Sequence, residues 1–262
     1  TSAYESIEYA ESKKIPHFVA SGESVITVMP DEHTKRLLND YVSGVICVSS
    51  KNKDESIGLG LAREEKCKVI PNAVNLSLFK KMDRAKCRED LGFEASAFLV
   101  VFVGSFNERK GARRVAEALN RIAGKTVNAI FIGSGAEYPV YNNTFFCGGL
   151  EHSEIPIYLN AADVFVLPTR HEGCCNAIIE AMACGLPVIS SDRPFNYDVL
   201  DSSNSILCDP DDIEAIKNAI VRLRDDETFR EKLSAGALER AQHLSITNRA
   251  TIIESFIREK IS

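Results

Sequence analysis

The sequence predicts an α/β protein built on parallel β-sheet, from its apolar pattern, its glycines and its length. Short apolar segments alternate with segments of helical periodicity along most of the chain, and this alternation favours parallel strands joined by crossover helices over an antiparallel meander. Several apolar segments end in glycine, where a strand turns tightly into the next element. With 262 residues, 45% of them hydrophobic, the chain can form one large or two small domains with buried cores.

The first 70 residues are expected to contain three helices that alternate with three strands. The predicted helices cover residues 3–14, 32–42 and 51–61, and the predicted strands cover residues 16–20, 45–48 and 67–70. Three strands make up only part of an α/β domain. The open edge of this partial sheet is expected to allow an edge-strand dimer of the fragment, because its backbone groups lack a neighbouring strand.

From residue 71 onwards the alternation continues through six more strands. The predicted strands cover residues 97–103, 127–132, 144–147, 163–167, a short segment after Pro187, and 205–208. The predicted helices cover residues 83–91, a segment from just after Gly111 to about 123, and residues 153–161, 177–184, 211–224, 227–243 and 247–261. The near-continuous apolar run at 97–103 is typical of a strand covered on both faces.

Composition argues against several classes of protein. The net charge of −6 disfavours a nucleic-acid binder or a general binder of anionic membranes. The eight cysteines include no Cys-x2-Cys pair, so we expect no zinc site and a reducing, cytoplasmic location. No apolar run approaches the roughly 20 residues that span a bilayer, and no signal-like segment follows Thr1. We therefore expect a soluble fragment of a larger protein.

Residues 170–192 are predicted to form a loop, a short helix and a strand. Asn176 is expected to cap the helix, which ends at Gly185 before Pro187. The helix carries Glu180 among isoleucine, alanine and methionine. An ionised carboxylate with such neighbours is costly unless a partner hydrogen-bonds it, and a ligand could supply that partner.

Glu180 lies one turn inside this helix, close to its first free amides. The backbone N–H groups of Asn176, Ala177 and Ile178 favour an anion such as phosphate. Carboxylate and amides together suit a sugar phosphate, because hydroxyls can donate to the carboxylate while phosphate accepts from the amides. Glu172, eight positions earlier, lies in the preceding loop and is expected to face the same ligand-binding opening at the amino end of the helix. The alternative is that Glu180 is a satisfied core carboxylate and Glu172 a solvated loop acid.

A second candidate site lies where the helix after residue 104 begins. Its loop and first turn carry four cations: Arg109, Lys110, Arg113 and Arg114. Positive charge at a helix amino end opposes the helix dipole, so the cluster suggests a bound anion. The alternative is a solvated basic face. Glycines follow three of the strands, namely Gly104, Gly133 with Gly135, and Gly148. Carboxyl ends of parallel strands bind ligands in open α/β sheets, so these loops are expected to face a nucleotide.

Residues 172–188 closely resemble the Glu-x7-Glu signature of family 4 of the retaining, GT-B-fold glycosyltransferases. Glu172 and Glu180 match its two acids, and Gly173 and Asn176 match positions between them. Glu-Ala-Met-Ala-Cys-Gly-Leu-Pro-Val then follows as the family usually has it. The resemblance implies an α/β protein of the GT-B fold, with two Rossmann-like parallel-sheet domains of which the first is incomplete.

The same resemblance divides the chain into three parts. Residues 1–70 would be the C-terminal part of the N-terminal acceptor domain, and residues 71–244 the donor-binding domain. Residues 245–262 would form a helix that crosses back to the first domain. One departure is Ser21, which stands where many relatives have a histidine near the acceptor and donor sugar.

The resemblance also implies roles for the candidate residues. Lys110 matches a lysine that grips the donor diphosphate. Ser105 stands where the family has a second cation, and Arg109 is the candidate to replace it. Glu172 would orient the donor sugar and Glu180 the ribose. Together with the glycines and amides named above, these residues form the predicted donor site.

The implied reaction moves a sugar, as in a hexosyltransferase, from a nucleoside diphosphate sugar to a hydroxyl of a glycan, lipid or other acceptor, with retained configuration. It belongs to polysaccharide or glycoconjugate biosynthesis and needs no metal or cofactor, so Asp209-Pro210-Asp211 is interpreted as a helix start. Nucleic acid is not an expected partner, whereas peripheral membrane association is expected of the whole protein. The alternatives are a nucleotide-sugar epimerase and a catalytically silent nucleotide-sugar-binding module.

Overall fold

The computed structural model of the chain describes residues 3–22, 31–124 and 126–261, and the chain forms two compact units. Unit 1 consists of Thr1–Asn72, Glu172–Cys174 and Ile246–Ser262. Unit 2 consists of Ala73–His171 and Cys175–Ser245. The sequence predicts domain boundaries after residues 70 and 244. The two units of the structure divide after residues 72 and 245.

Unit 1 contains a three-stranded parallel sheet in the order β1-β2-β3. Along the chain it is built from α1 (Ala3–Lys13), β1 (Phe18–Ser21), α2 (Glu32–Tyr41), β2 (Gly44–Cys47), α3 (Ser50–Gly58) and β3 (Cys67–Val69). The predicted strands and helices of this region are confirmed to within a few residues. A 3₁₀ turn at Glu64–Lys66 was not predicted, because such a short turn has no periodic pattern.

Strand β2 is buried on both faces, and its alternating side chains join two small cores. On one face, Val45 and Cys47 pack in a cluster with Ile7 and Leu37 from α1 and α2. On the other face, Ile46 packs with Ile70 and with Phe256, which lies in the last helix of the chain, at Ile246–Ile261. That helix therefore belongs to unit 1.

Unit 2 contains a six-stranded parallel sheet in the order β6-β5-β4-β7-β8-β9. Its strands are β4 (Phe98–Val103), β5 (Val127–Ile132), β6 (Thr144–Gly148), β7 (Val164–Leu167), β8 (Val188–Ser191) and β9 (Ser205–Cys208). Its helices are α4 (Arg84–Leu91), α5 (Ala112–Asn120), α6 (Ile155–Ala161), α7 (Asn176–Ala183), α8 (Ile213–Asp225) and α9 (Glu227–His243); the last helix of unit 1 is α10. The four central residues of β4, Leu99 to Phe102, are buried, as the continuous apolar run predicts.

The strand order places a crevice at the carboxyl ends of β4 and β7. Strand β4 pairs with β5 on one side and with β7 on the other. The chain extends the sheet in one direction through β5 and β6, then returns past β4 and extends it in the other. Because the chain leaves β4 and β7 in opposite directions along the sheet, a crevice forms between the loops that follow these two strands. Open α/β sheets bind ligands in such a crevice.

Two expected helix starts are wrong in detail. Asn176 is the first residue of α7, and Cys175 is the capping residue, with no side-chain hydrogen bond to the helix. Asn176 therefore contributes a backbone amide rather than a cap. Helix α8 is capped by Asp212, whose carboxylate accepts from the amide of Ala215 at 2.9 Å, and not by the Asp209-Pro210-Asp211 run. Gly185 does take the left-handed conformation that ends α7, with φ of 85°.

Across the part of the chain that the structure describes, no helix is both long and apolar enough to cross a membrane. The same residues contain no group of three or more histidine, cysteine or acidic side chains arranged to hold a metal ion.

Candidate functional site

The loops after β4 and β5 pack closely together through two glycines. Gly133 and Gly135 adopt φ of 147° and 149°, and a Cβ on either would overlap the backbone carbonyls of Gly104 and Phe106. The close approach lets the amide of Phe106 donate to the carbonyl of Ser134 at 2.7 Å. These glycines thus shape the carboxyl edge of the sheet, and their predicted contact with a nucleotide stays a prediction.

Lys110 reaches from the loop after β4 to the amino end of α7. Its Nζ lies 3.7 Å from Sγ of Cys175, the capping residue of that helix. The Asn107 side chain accepts from the backbone amide of Lys110 at 2.9 Å and fixes the loop. The first amides of α7 have no acceptor within the helix. An ammonium beside free amides concentrates positive charge at one point, as an anion site requires.

The other three cations of the predicted cluster bind protein groups. Nη1 of Arg109 donates to the carbonyl of His171 at 2.8 Å, and Arg113 pairs with Glu137 at 2.8 Å. Arg114 donates to the carbonyl of Pro168 at 2.7 Å, and burial lowers its pKa. The solvated basic face does not describe Arg114, whose side chain is 12% exposed, but it does describe Arg113, which is 65% exposed. The role of Arg109 at a diphosphate stays a prediction.

Glu180 lies in α7 with 14% of its side chain exposed. Its neighbours Ile179 and Ala181 are fully buried. Oε1 of Glu180 lies 2.9 Å from Nε2 of His152, which packs against Phe79 with the ring centroids 5.0 Å apart. Glu180 is thus partly buried and has a partner that is 62% exposed, so a ligand hydroxyl can approach the carboxylate from the side of solvent.

Sequence reasoning missed His152. It is an isolated histidine in the loop after β6, without a motif around it, and only the packing of that loop against α7 brings it to Glu180. The one signal in the sequence is indirect: the Glu180 carboxylate lies among apolar residues and therefore needs a hydrogen-bond donor, and His152 is one of the polar loop residues that could supply it.

Glu172 is buried, with 7% exposure. This excludes the alternative that it is a solvated loop acid. Its segment, Glu172–Cys174, belongs to unit 1, where the carbonyl of Cys174 accepts from the side chain of Asn72 at 3.0 Å.

The two aspartates of the Asp-Pro-Asp run both pair with arginine. Asp211 accepts from Nε of Arg170 at 2.8 Å, and Asp209 accepts from Arg193 at 3.2 Å. Their charge is therefore offset within the protein. Arg170 also donates a hydrogen bond to Glu108. Its hydrogen bonds to Glu108 and Asp211 raise the pKa of Arg170.

The family described as "Glycosyl transferases group 1" matches residues 97–226. This part of the chain is therefore similar to a group 1 glycosyl transferase domain. Its match spans all six strands of unit 2 and includes Lys110, Glu172 and Glu180, so the predicted donor residues all lie within the matched region.

Several curated relatives of the chain are named as glycosyltransferases. The chain is 27% identical over 243 residues to the putative teichuronic acid biosynthesis glycosyltransferase TuaC of Bacillus subtilis, covering 89% of the chain and 61% of the relative. It is 28% identical over 203 residues to an Escherichia coli protein, covering 71% of the chain and 52% of the relative. That relative is the UDP-Gal:alpha-D-GlcNAc-diphosphoundecaprenol alpha-1,3-galactosyltransferase. The chain thus spans less than two thirds of the length of either relative.

The same fold occurs in solved structures. A glycosyltransferase from Rickettsia africae superposes with a TM-score of 0.82 at 15% identity, covering 98% of the chain and 80% of that protein. Anabaena Alr3699/HepE, crystallised with UDP, superposes with a TM-score of 0.83 at 22% identity, covering 96% of the chain and 75% of HepE. The fold class predicted from the sequence, an α/β protein of the GT-B fold, is confirmed by this likeness.

Proposed function

We propose that the protein is a retaining, hexosyltransferase-type glycosyltransferase that uses a nucleoside diphosphate sugar. The observation that carries this proposal is the arrangement at the topological switch point of unit 2. Lys110 lies against the amino end of α7, and Glu180 lies one turn further along the same helix. A cation with free amides followed by a carboxylate matches the order of groups in a nucleoside diphosphate, with the diphosphate at the helix end and the ribose on the acid.

The diphosphate would accept from Lys110 and from the amides of Asn176, Ala177 and Ile178. The ribose hydroxyls would donate to Glu180, whose carboxylate lies within hydrogen-bond distance of His152. The base would lie towards the glycine loops after β5 and β6. Family resemblance assigns the sugar to Glu172, whose burial suits a hydrogen-bonded carboxylate.

The chemistry follows from the charge that grows on the leaving diphosphate as the glycosidic bond breaks. A fixed ammonium and aligned amides stabilise that charge without reorganising water, so they bind the transition state better than the ground state. No metal is needed for this stabilisation, and the proposed reaction should proceed in EDTA. Acceptor binding would involve residues beyond this chain, since the chain spans only part of its relatives.

Uridine nucleotides are the first donors to test, because HepE was crystallised with UDP and the E. coli relative is named for UDP-Gal. Relatives named for teichuronic acid synthesis and for a diphosphoundecaprenol acceptor suggest an envelope glycan or lipid-linked acceptor. On this proposal the whole protein works in the cytoplasm with peripheral membrane association.

The test is a thermal-shift screen of nucleotide sugars followed by product analysis with the best donor. Transfer to an acceptor with the anomeric configuration unchanged, seen by NMR, supports the proposal. A sugar altered without acceptor indicates an epimerase, and a bound sugar left intact by the full-length protein indicates a silent binding module. The 262-residue chain by itself should bind nucleoside diphosphate but transfer poorly. Robust transfer by this chain alone would contradict the assignment of its first 70 residues to an incomplete acceptor domain.

A further inference from the structure

Arg170 joins three loops at the carboxyl edge of unit 2. It lies in the loop after β7, two residues before Glu172. Its Nε donates to Oδ1 of Asp211 in the loop before α8 at 2.8 Å. Its Nη1 donates to Glu108 in the loop after β4, and its backbone amide donates to the carbonyl of Arg109 at 2.9 Å.

Two more hydrogen bonds reach the loop after β7, one from the loop after β4 and one from the first turn of α5. Arg109 donates to the carbonyl of His171 at 2.8 Å, and Arg114 donates to that of Pro168 at 2.7 Å. The segment that carries Lys110 is therefore attached along its length to the segment after β7. Asp211 anchors this pair of loops to the neighbouring loop through Arg170.

The contact requires an arginine. A guanidinium has donors on different nitrogens in a rigid plane, so it can bridge two carboxylates on separate loops, whereas an ammonium acts as a point charge. The carboxylates of Glu108 and Asp211 are exposed to solvent, and exposed ion pairs add little to folding stability. The larger consequence of the bridge is the position that it gives to the loops.

We propose that Arg170 and Asp211 form a positioning pair that holds the Lys110 loop against the amino end of α7 for diphosphate binding. Neither residue touches the substrate in this proposal. It rests on the proposed function, because it assumes that a diphosphate binds between Lys110 and α7. It also gives Asp211 a role that is neither metal binding nor helix capping.

The experiment compares Arg170→Ala, Arg170→Lys and Asp211→Asn with the matched control Arg193→Ala. Arg193 pairs with Asp209 at 3.2 Å, two positions from Asp211, and is exposed to a similar extent, 38% against 35% for Arg170. The readouts on the 262-residue chain are affinity for the tightest-binding of UDP, GDP, ADP, CDP and dTDP by calorimetry, affinity for the matching nucleoside by NMR titration, and Tm.

We expect Arg170→Ala to weaken diphosphate binding roughly five- to tenfold, part of the value of one charged hydrogen bond. Arg170→Lys should not restore affinity, and Asp211→Asn should show a smaller loss in the same direction. Nucleoside affinity should stay unchanged in all of them, because Glu180 does not contact this network. Arg193→Ala should behave like the wild type.

Two results would overturn the positioning role while leaving the proposed function intact. In one, the wild type binds the diphosphate and Arg170→Ala binds it equally well. In the other, Arg170→Ala loses nucleoside and diphosphate affinity to the same extent, as general destabilisation would cause. If Arg170→Ala fails to fold, Asp211→Asn decides between the same outcomes. A wild-type chain that binds none of the five diphosphates would contradict the proposed function itself.

Discussion

Two carboxylates on either side of strand β7 have opposite surroundings. Asp163, just before β7, is 5% exposed, and its Oδ2 accepts from Arg88 and from the amide of Leu99, each at 2.7 Å, while Oδ1 accepts from Arg84. Glu180, in the helix after β7, has His152 as its one hydrogen-bond partner among the residues that the structure describes.

The difference separates a structural carboxylate from one that is available to a ligand. Desolvating a carboxylate is costly, and several fixed donors offset that cost at Asp163. Glu180 relies on an exposed histidine, which a ligand can displace or share. The presence of a cavity does not distinguish a structural carboxylate from one that is available to a ligand. A cavity of about 720 Å³ lies beside Asp163 at the amino edge of the sheet, but its Arg88 and Asp163 already bind each other.

The largest expected effect is on stability at Asp163. Replacing Asp163 by Ala leaves Arg88, which is 3% exposed, without its carboxylate. Removing one partner of such a buried pair costs about 3–5 kcal/mol, so urea unfolding should show a drop of that size. Glu180→Gln is the matched control and should change stability by less than about 1 kcal/mol, since Gln keeps the shape of the side chain and its partner His152 is 62% exposed. Equal losses in the two variants would remove the distinction between the carboxylates.

The next effect is on turnover. In the full-length protein, Lys110→Ala should lower kcat by roughly 10²-fold, the scale for loss of a preorganised contact to the transition state. Steady-state kinetics with the preferred donor would measure it. Arg113→Ala is the control, because Arg113 pairs with Glu137 and should leave kcat near the wild-type value. A rise in KM with kcat unchanged would instead make Lys110 a residue of uniform substrate binding.

Glu180→Gln should weaken nucleoside diphosphate binding by about 1.5–3 kcal/mol, the scale for hydrogen bonds to a charged group. Calorimetry on the 262-residue chain would measure this directly. The control is Glu137→Gln, an acid of unit 2 whose partner is Arg113. If Glu180→Gln and the wild type bound equally, Glu180 would not be the ribose partner.

The smallest effect concerns the thiol of Cys184, the capping residue at the end of α7. Burial, and then the nearby charge of Glu180, raise the pKa of the Cys184 thiol to about 12. The folded thiol keeps its proton while the unfolded one loses it above pH 9, so stability falls as pH rises from 9 towards 12. Between pH 8 and 10, the wild type should lose about 1 kcal/mol more than Cys184→Ala. Parallel losses in urea unfolding would mean that Cys184 does not contribute.

Sequence alone predicted the order of strands and helices well, because each buried strand of unit 2 is a short apolar run between turn residues. It also pointed to Lys110 and Glu180, since a cation at a helix amino end and an acid among apolar residues are both locally unfavourable. These local conflicts are visible without coordinates, and they mark places where a partner is required.

What sequence did not predict depends on contacts between distant loops. His152 meets Glu180 across 28 positions, and Arg170 meets Asp211 across 41. Nothing local distinguishes these residues from other polar residues in loops. The sequence also misplaces the cap of α7 by one residue: Asn176 is a common capping residue, but the structure has Cys175 in that position.

Binding of a nucleoside diphosphate at the carboxyl edge of unit 2 can be tested by hydrogen exchange. The 262-residue chain would be exchanged with and without its tightest-binding nucleoside diphosphate and analysed by mass spectrometry. If the diphosphate lies between Lys110 and α7, peptides that cover residues 104–111 and the first turn of α7 will be protected. Unchanged exchange there, with protection instead around Phe98 and Asn128 at the amino-edge cavity, would contradict it.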